Sequence, residues 1–103
     1  MIEIVYEKKL GTHDLSVTGH ANYDAYGKDI VCAGVTAITY ALACYIADKL
    51  DDDRADISMD DGAVYIVCED DDNIAAAFEM ALIGYDLIAR KYPEYVAFTN
   101  MSL

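Results

Sequence analysis

A histidine and a cysteine, the two residue types that cooperate in thiol hydrolysis, lie twelve positions apart as His20 and Cys32. A thiolate can attack a carbonyl carbon, while an imidazole removes a proton and returns it to the leaving group. The spacing alone does not bring the two side chains together. The eight residues between Ala21 and Lys28 can span on the order of 25 Å, so a contact is sterically easy.

Cys32 differs from an ordinary thiol because of its place in a predicted helix. Asp29 is a good N-cap, which puts Cys32 in the first turn, where the helix dipole favours an anion. Its neighbours Ala33 and Gly34 are small, so a substrate backbone could approach first-turn N–H groups that are free to hold an oxyanion. The negative charge of Asp29 opposes the thiolate, unless Asp29 instead orients His20.

The remaining thiols and the second histidine are expected to be structural. Cys68 alternates with buried strand positions and Cys44 lies among alanines in a helix, so both are predicted to pack in the core. Three cysteines without C-x-x-C spacing indicate neither a disulfide framework nor a zinc site, and no cofactor is expected. His13 is predicted to be a solvated turn residue. A metal site on His20 and Cys32 lacks further ligands at recognisable spacing.

The periodicity of apolar residues predicts the elements that position this pair. Alternation indicates strands, steps of three and four indicate helices, and Asp61-Gly62 is a typical hairpin turn. The order β-β-α-β-β-α-β predicts an α+β fold of two layers, with a mostly antiparallel sheet and both helices on one face. The predicted elements are strands in Met1–Glu7 and Leu15–His20, a helix from Asp29 to Leu50, strands Ala55–Asp60 and Ala63–Glu69, a helix capped by Asn73 and running through Tyr92, and a short strand in Tyr95–Thr99.

Length and charge limit the classes of function. The 103 residues suffice for a single domain, residues 1–103, and the net charge of −12 disfavours nucleic acid and anionic membranes and favours a basic partner. Charged residues within Met1–Leu10 argue against a signal peptide or membrane anchor, so a cytoplasmic protein is expected. The open face of the sheet, with Val5, Tyr65 and Val67 among polar residues, favours dimerisation.

The segments Gly19-His20-Ala21 and Gly27-Lys28-Asp29-Ile30-Val31-Cys32-Ala33 resemble the signature of the ribosomal-processing cysteine protease family, Prp. Length, acidity and element order fit as well, so the resemblance covers most of the chain. It implies a small homodimeric protease of Firmicutes or their phages, which removes a short N-terminal extension from a large-subunit ribosomal protein or processes a phage structural protein.

The same resemblance implies roles for individual residues. Cys32 would be the nucleophile and His20 the general base, with Asp29 in the acidic position of the motif. The loop of residues 21–28 would close over the peptide, with Gly27 as a hinge. Tyr23 and Tyr26 would clamp a substrate side chain, or would instead pack the loop on its own domain.

Two positions depart from the family pattern. Relatives commonly have alanine two residues and serine four residues after the cysteine, where this chain has Gly34 and Thr36. Threonine keeps a hydroxyl one helical turn from the thiol, so a hydrogen-bonding role survives.

The sequence therefore predicts a cysteine endopeptidase with a Cys32–His20 dyad, whose substrate is the precursor of a basic ribosomal protein. The alternative is a non-catalytic dimeric module that binds a ribosomal or phage protein without cutting it. A redox-sensing thiol protein is a third reading, since an exposed thiolate oxidises readily.

Overall fold

Five strands form one sheet, and two helices cover one of its faces. The computed structural model describes residues 1–102, and the strand order in the sheet is β3-β4-β2-β1-β5. Strands β1 and β5 are parallel and the other neighbouring pairs are antiparallel, which confirms the predicted α+β fold. The elements are β1 (Ile2–Lys9), β2 (Thr12–Thr18), α1 (Ile30–Lys49), β3 (Ala55–Asp60), β4 (Ala63–Glu69), α2 (Asp72–Lys91) and β5 (Val96–Asn100).

Alternating residues of the central strands form the core beneath the helices. In the register of β1, β2 and β4, Tyr6 is opposite Leu15, which is in turn opposite Ile66, and all three are buried. Residues on the other face, such as Tyr65 and Val67, remain exposed. The sheet therefore has one packed and one open face, as its alternation predicts.

Two glycines let α1 and α2 approach closely. A Cβ on Gly34 of α1 would lie 3.3 Å from Ile88 Cδ1 of α2, and a Cβ on Gly84 of α2 would lie 2.7 Å from Ile38 Cδ1 of α1. At each glycine, an isoleucine of the opposite helix packs against the bare backbone. Deeper in the same interface, Thr39 Oγ1 and Tyr85 Oη are hydrogen bonded at 2.7 Å. These contacts set the position of α1, which carries Cys32.

Helix α1 is apolar around most of its circumference. By length and composition alone it could cross a membrane, with a mean hydropathy of 2.0 over 18 residues. The same composition is typical of a core helix, and six of its residues are buried: Val31, Val35, Thr39, Leu42, Ala43 and Ile46.

Helix α2 begins at Asp72, directly after its N-cap, which is Asp71 and not the predicted Asn73. The Asp71 carboxylate accepts the Ile74 amide at 2.8 Å, so Asp71 is the N-cap and Asn73 lies within the first turn. The prediction of Asn73 was wrong because both residues are good cap types. In the structure the chain becomes helical at Asp72, so the capping position falls on Asp71, three residues before the amide that its carboxylate accepts.

His13 is buried, which contradicts the prediction of a solvated turn residue. The first turn is only two residues long, because Lys9 pairs with Thr12, so His13 belongs to β2 and points toward the helices. Its ring stacks on Phe78 with centroids 4.3 Å apart.

Both ring nitrogens of His13 have partners. Nδ1 is 2.6 Å from Tyr6 Oη, and Nε2 is 2.7 Å from Asp70 Oδ1. Burial, with the nearby Asp70 charge, raises the pKa of Tyr6 to about 12, so its hydroxyl stays protonated. The hydrogen bond from His13 lowers the pKa of Asp70, and Lys8 adds to this effect against partial desolvation.

The two other cysteines have different environments. Cys68 is buried as predicted, and desolvation, with the charges of Asp70 and Asp71, raises the pKa of its thiol to about 11. Cys44 was predicted to pack in the core, but its side chain is exposed. The neighbouring Leu42 and Ala43 take the inner face of α1, which leaves Cys44 on the outer face.

Acid is expected to destabilise the protein partly through Asp70. Its folded-state pKa lies below the ordinary value of about 3.9, so the unfolded chain binds the proton more tightly. This stabilisation is present above the unfolded-state pKa and is lost as the pH falls through the folded-state pKa. Urea unfolding of Asp70→Asn at several pH values should therefore show a flatter dependence between about pH 5 and pH 2 than wild type.

The exposed carboxylate of Asp52, in the turn before β3, provides the control. Asp52→Asn should keep the wild-type pH dependence. A curve for Asp70→Asn that runs parallel to that of wild type would contradict this role of Asp70.

Candidate active site

The N-terminus of α1 is held by the carboxylate of Asp29, as predicted. Oδ1 accepts the Cys32 amide at 2.9 Å, and Oδ2 accepts the Tyr23 amide at 2.9 Å. Desolvation raises the pKa of this carboxyl, but the amides that point at it outweigh that effect and bring the pKa below its ordinary value. One charged side chain therefore joins the start of the helix to the loop before it.

His20 lies two residues after Thr18, the last residue of β2, and is exposed. The preceding Gly19 has φ +91°, and a Cβ there would collide with the carbonyl oxygen of Met1. Only glycine fits this close approach, which turns the chain out of the sheet at His20.

His20 and Cys32 line the same cavity, which has a volume of about 280 Å³. It lies between the start of β1, the end of β2 with the residues after it, one face of α1 and the β3–β4 hairpin, and the loop before α1 adds Tyr26. Its lining residues are Ile2, Val17, Gly19, His20, Tyr26, Cys32, Val35, Thr36, Thr39, Tyr40, Asp60, Asp61, Gly62, Ala63 and Val64.

The thiol of Cys32 is half-buried and lies next to a hydroxyl. Sγ is 4.0 Å from Thr36 Oγ1, one helical turn along α1. Within residues 1–102 no hydrogen bond joins Sγ to the His20 imidazole. The same cavity thus contains both groups of the predicted dyad in an uncoupled arrangement, which is common in peptide-free active sites.

The amides in the first turn of α1 were expected to be free to bind an oxyanion, but two of them already donate hydrogen bonds within the protein. The Cys32 amide donates to Asp29 Oδ1, and the Ala33 amide donates to the Asp29 carbonyl at 3.0 Å. Both amides are therefore already occupied, one by the helix cap and the other by the first hydrogen bond of the helix. Ala33 is exposed outside the cavity, and Gly34 faces Ile88 of α2, so its small size serves helix packing.

The loop of residues 21–28 contributes one side chain to the cavity. Tyr26 is part of its lining and is 97 % exposed, whereas Tyr23 packs edge-on against Tyr92 and Tyr95 with centroids 5.5 Å and 5.1 Å away. Gly27 has φ +84° with open space around it. The two tyrosines therefore have different environments, with only Tyr26 directed to the cavity.

Some lining residues were missed by reasoning from the sequence. Tyr40 lies eight positions after Cys32 and four after Thr36, so helical periodicity already places the three on one face of α1. Gly62 and its aspartate neighbours come from the β3–β4 turn, which no local pattern connects to His20. In the part of the chain that the structure describes, no group of three or more His, Cys, Asp or Glu side chains could hold a metal ion.

Comparison with known proteins identifies the family of this chain. The family model described as cysteine protease Prp matches residues 1–97. The chain belongs to the cysteine protease Prp family. A Staphylococcus aureus protein named ribosomal processing cysteine protease Prp is 33 % identical over 87 residues, which cover 81 % of each chain. The protein of that name from Mycoplasma genitalium is 27 % identical over 89 residues, covering 85 % of this chain and 88 % of its own.

Solved structures show the same fold. The S. aureus ribosomal processing protease Prp, in complex with a covalently linked product peptide, superposes with a TM-score of 0.84 and 28 % identity, over 97 % of this chain and 99 % of its own. A Streptococcus mutans protein gives a TM-score of 0.76 and 28 % identity, over 100 % of this chain and 96 % of its own. The Prp fold therefore extends over the whole described chain.

Asp29 caps α1 and also places a negative charge beside Cys32. Comparison with Asp71, which caps α2, separates these two effects. Asp29→Ala and Asp71→Ala each remove a carboxylate that accepts the amide three residues on, so each should lower the free energy of unfolding by about 1 kcal/mol. Only Asp29→Ala also removes a negative charge beside Cys32 and releases the loop at Tyr23. Alkylation of Cys32 by iodoacetamide at neutral pH should therefore become several-fold faster in Asp29→Ala alone.

Mass spectrometry of the Cys32 peptide gives this rate. Equal Cys32 rates in the two variants would show that Asp29 acts only as a helix cap.

Proposed function

We propose that this chain is a cysteine endopeptidase that removes a short N-terminal extension from a large-subunit ribosomal protein. The observation that carries the proposal is the shared cavity of Cys32 and His20 at the N-terminus of α1. Membership of a cysteine protease family supports the reaction class. Relatives named ribosomal processing cysteine protease support the choice of substrate.

In the proposed reaction, the imidazole of His20 takes the proton from Cys32, and the thiolate attacks the scissile carbonyl carbon. The oxyanion forms beside the first turn of α1, whose dipole stabilises negative charge. His20 then protonates the leaving amine as the C–N bond breaks and a thioester remains on Cys32. Water, deprotonated by His20, hydrolyses the thioester and regenerates the thiol.

Neighbouring residues have supporting roles in this proposal. Asp29 holds Cys32 and the loop in place through two amides. The Thr36 hydroxyl lies one turn below the thiol, where it can stabilise the thiolate. Tyr26 extends over the cavity and is suited to contact an apolar substrate side chain.

Charge and surface support the proposed partners. A net charge of −12 favours a basic ribosomal precursor as substrate, and the cytoplasm is the proposed place of action. The exposed Tyr65 and Val67 on the open sheet face provide apolar surface for the proposed homodimer.

Incubation with a ribosomal protein precursor that retains its extension tests the reaction. Wild type should cut it at one site, and Cys32→Ala should abolish cleavage. His20→Ala should slow it by about 100-fold or more, because general base catalysis contributes at least that much. Mass spectrometry of the products measures cleavage, and Cys44→Ala is the control, because Cys44 is an exposed thiol of the same helix outside the cavity.

The non-catalytic alternative predicts a different outcome. A binding module would retain the precursor intact on a size-exclusion column, with no product from wild type. Equal cleavage by wild type and Cys32→Ala would exclude Cys32 as the nucleophile.

A further inference from the structure

We propose that Gly62, in the β3–β4 turn, is a positioning residue for the His20 imidazole, an inference that rests on the proposed role of His20 as the general base. Gly62 carries no reactive group. Its proposed effect on the reaction passes entirely through the orientation of the histidine ring.

The backbone ties the β3–β4 turn to the segment that carries His20. The Gly19 amide donates to the Gly62 carbonyl at 2.9 Å, next to the point where the chain leaves β2. The backbones of Gly19 and Gly62 are therefore held together immediately before His20.

The imidazole occupies the space that a side chain at position 62 would fill. A Cβ on Gly62 would lie 2.7 Å from His20 Nε2, 3.1 Å from Cε1 and 3.4 Å from Cδ2. Real Cβ atoms do not approach ring atoms to 2.7 Å, so the ring would have to move. Among residues 1–102 no hydrogen bond holds this ring, so only packing limits where it can lie, and Gly62 borders it on one side.

The need for glycine in a hairpin turn does not by itself explain why the His20 ring lies so close to position 62. Gly62 has φ +74°, a conformation that hairpin turns demand of glycine. Gly11, in the β1–β2 turn, has φ +77° and the same demand, yet a Cβ there would have no heavy atom within 4 Å. A side chain at either position would strain the backbone to a similar extent. Only a side chain at position 62 would also collide with His20.

This pair gives a matched experiment. Gly62→Ala and Gly11→Ala should lower the urea midpoint of unfolding by similar amounts. Cleavage of the ribosomal precursor should show a kcat reduced by about 10- to 100-fold in Gly62→Ala, because a displacement of about 1 Å at a reacting group has effects of this size. KM should stay within about threefold of wild type, and Gly11→Ala should stay within about twofold in both constants.

Alkylation of Cys32 as a function of pH tests whether the effect passes through His20. His20→Ala should shift the pH midpoint upward, and Gly62→Ala should shift it in the same direction. In the His20→Ala background, adding Gly62→Ala should change the alkylation rate by less than about twofold, since the two residues act as one unit.

Each failure has its own signature. Equal kcat in Gly62→Ala and Gly11→Ala would overturn the proposal, as would a full additional effect of Gly62→Ala on alkylation in the absence of His20. Wild-type cleavage and an unshifted midpoint in His20→Ala would instead overturn the proposed dyad. If Gly62→Ala does not fold, Gly62→Asn and Gly11→Asn replace the pair, because asparagine tolerates positive φ and still places a Cβ against the ring.

Discussion

The Asp29 carboxylate is the constraint on which the site depends. Its two oxygens accept the amides of Cys32 and Tyr23, so one group holds both the first turn of α1 and the loop before it. The same amides lower its pKa, which keeps it charged at neutral pH. This arrangement has an electrostatic cost, because a fixed negative charge lies one turn from a thiol that reacts as an anion. The helix dipole acts in the opposite direction.

Glycines allow the close approaches that position the segments carrying Cys32 and His20. Gly34 and Gly84 bring α1 and α2 together, and Gly19 lets the chain turn out of β2 against Met1. The walls of the cavity are therefore brought together by close packing at several glycines.

Prediction from the sequence succeeded where the signal was local. Alternation and helical periodicity placed the strands and helices, and Asp29 was recognisable as a cap because its acceptor lies three residues before the amide of Cys32. His13 was assigned wrongly because its partner Asp70 is 57 residues away in sequence and only the folded sheet brings them together. Cys44 was assigned wrongly because α1 is apolar on nearly every side, so periodicity cannot distinguish its inner from its outer face.

We propose that Cys32 and His20 act on the same carbonyl group. The decisive observation is a crystal structure of the protein after reaction with a peptide aldehyde that ends at the cleavage site. We expect a thiohemiacetal on Cys32 Sγ and a His20 ring nitrogen within about 3.2 Å of the sulfur or of the new hydroxyl. An adduct on Cys44, or an imidazole that stays outside hydrogen-bond reach while another group contacts the reacting atoms, would contradict it.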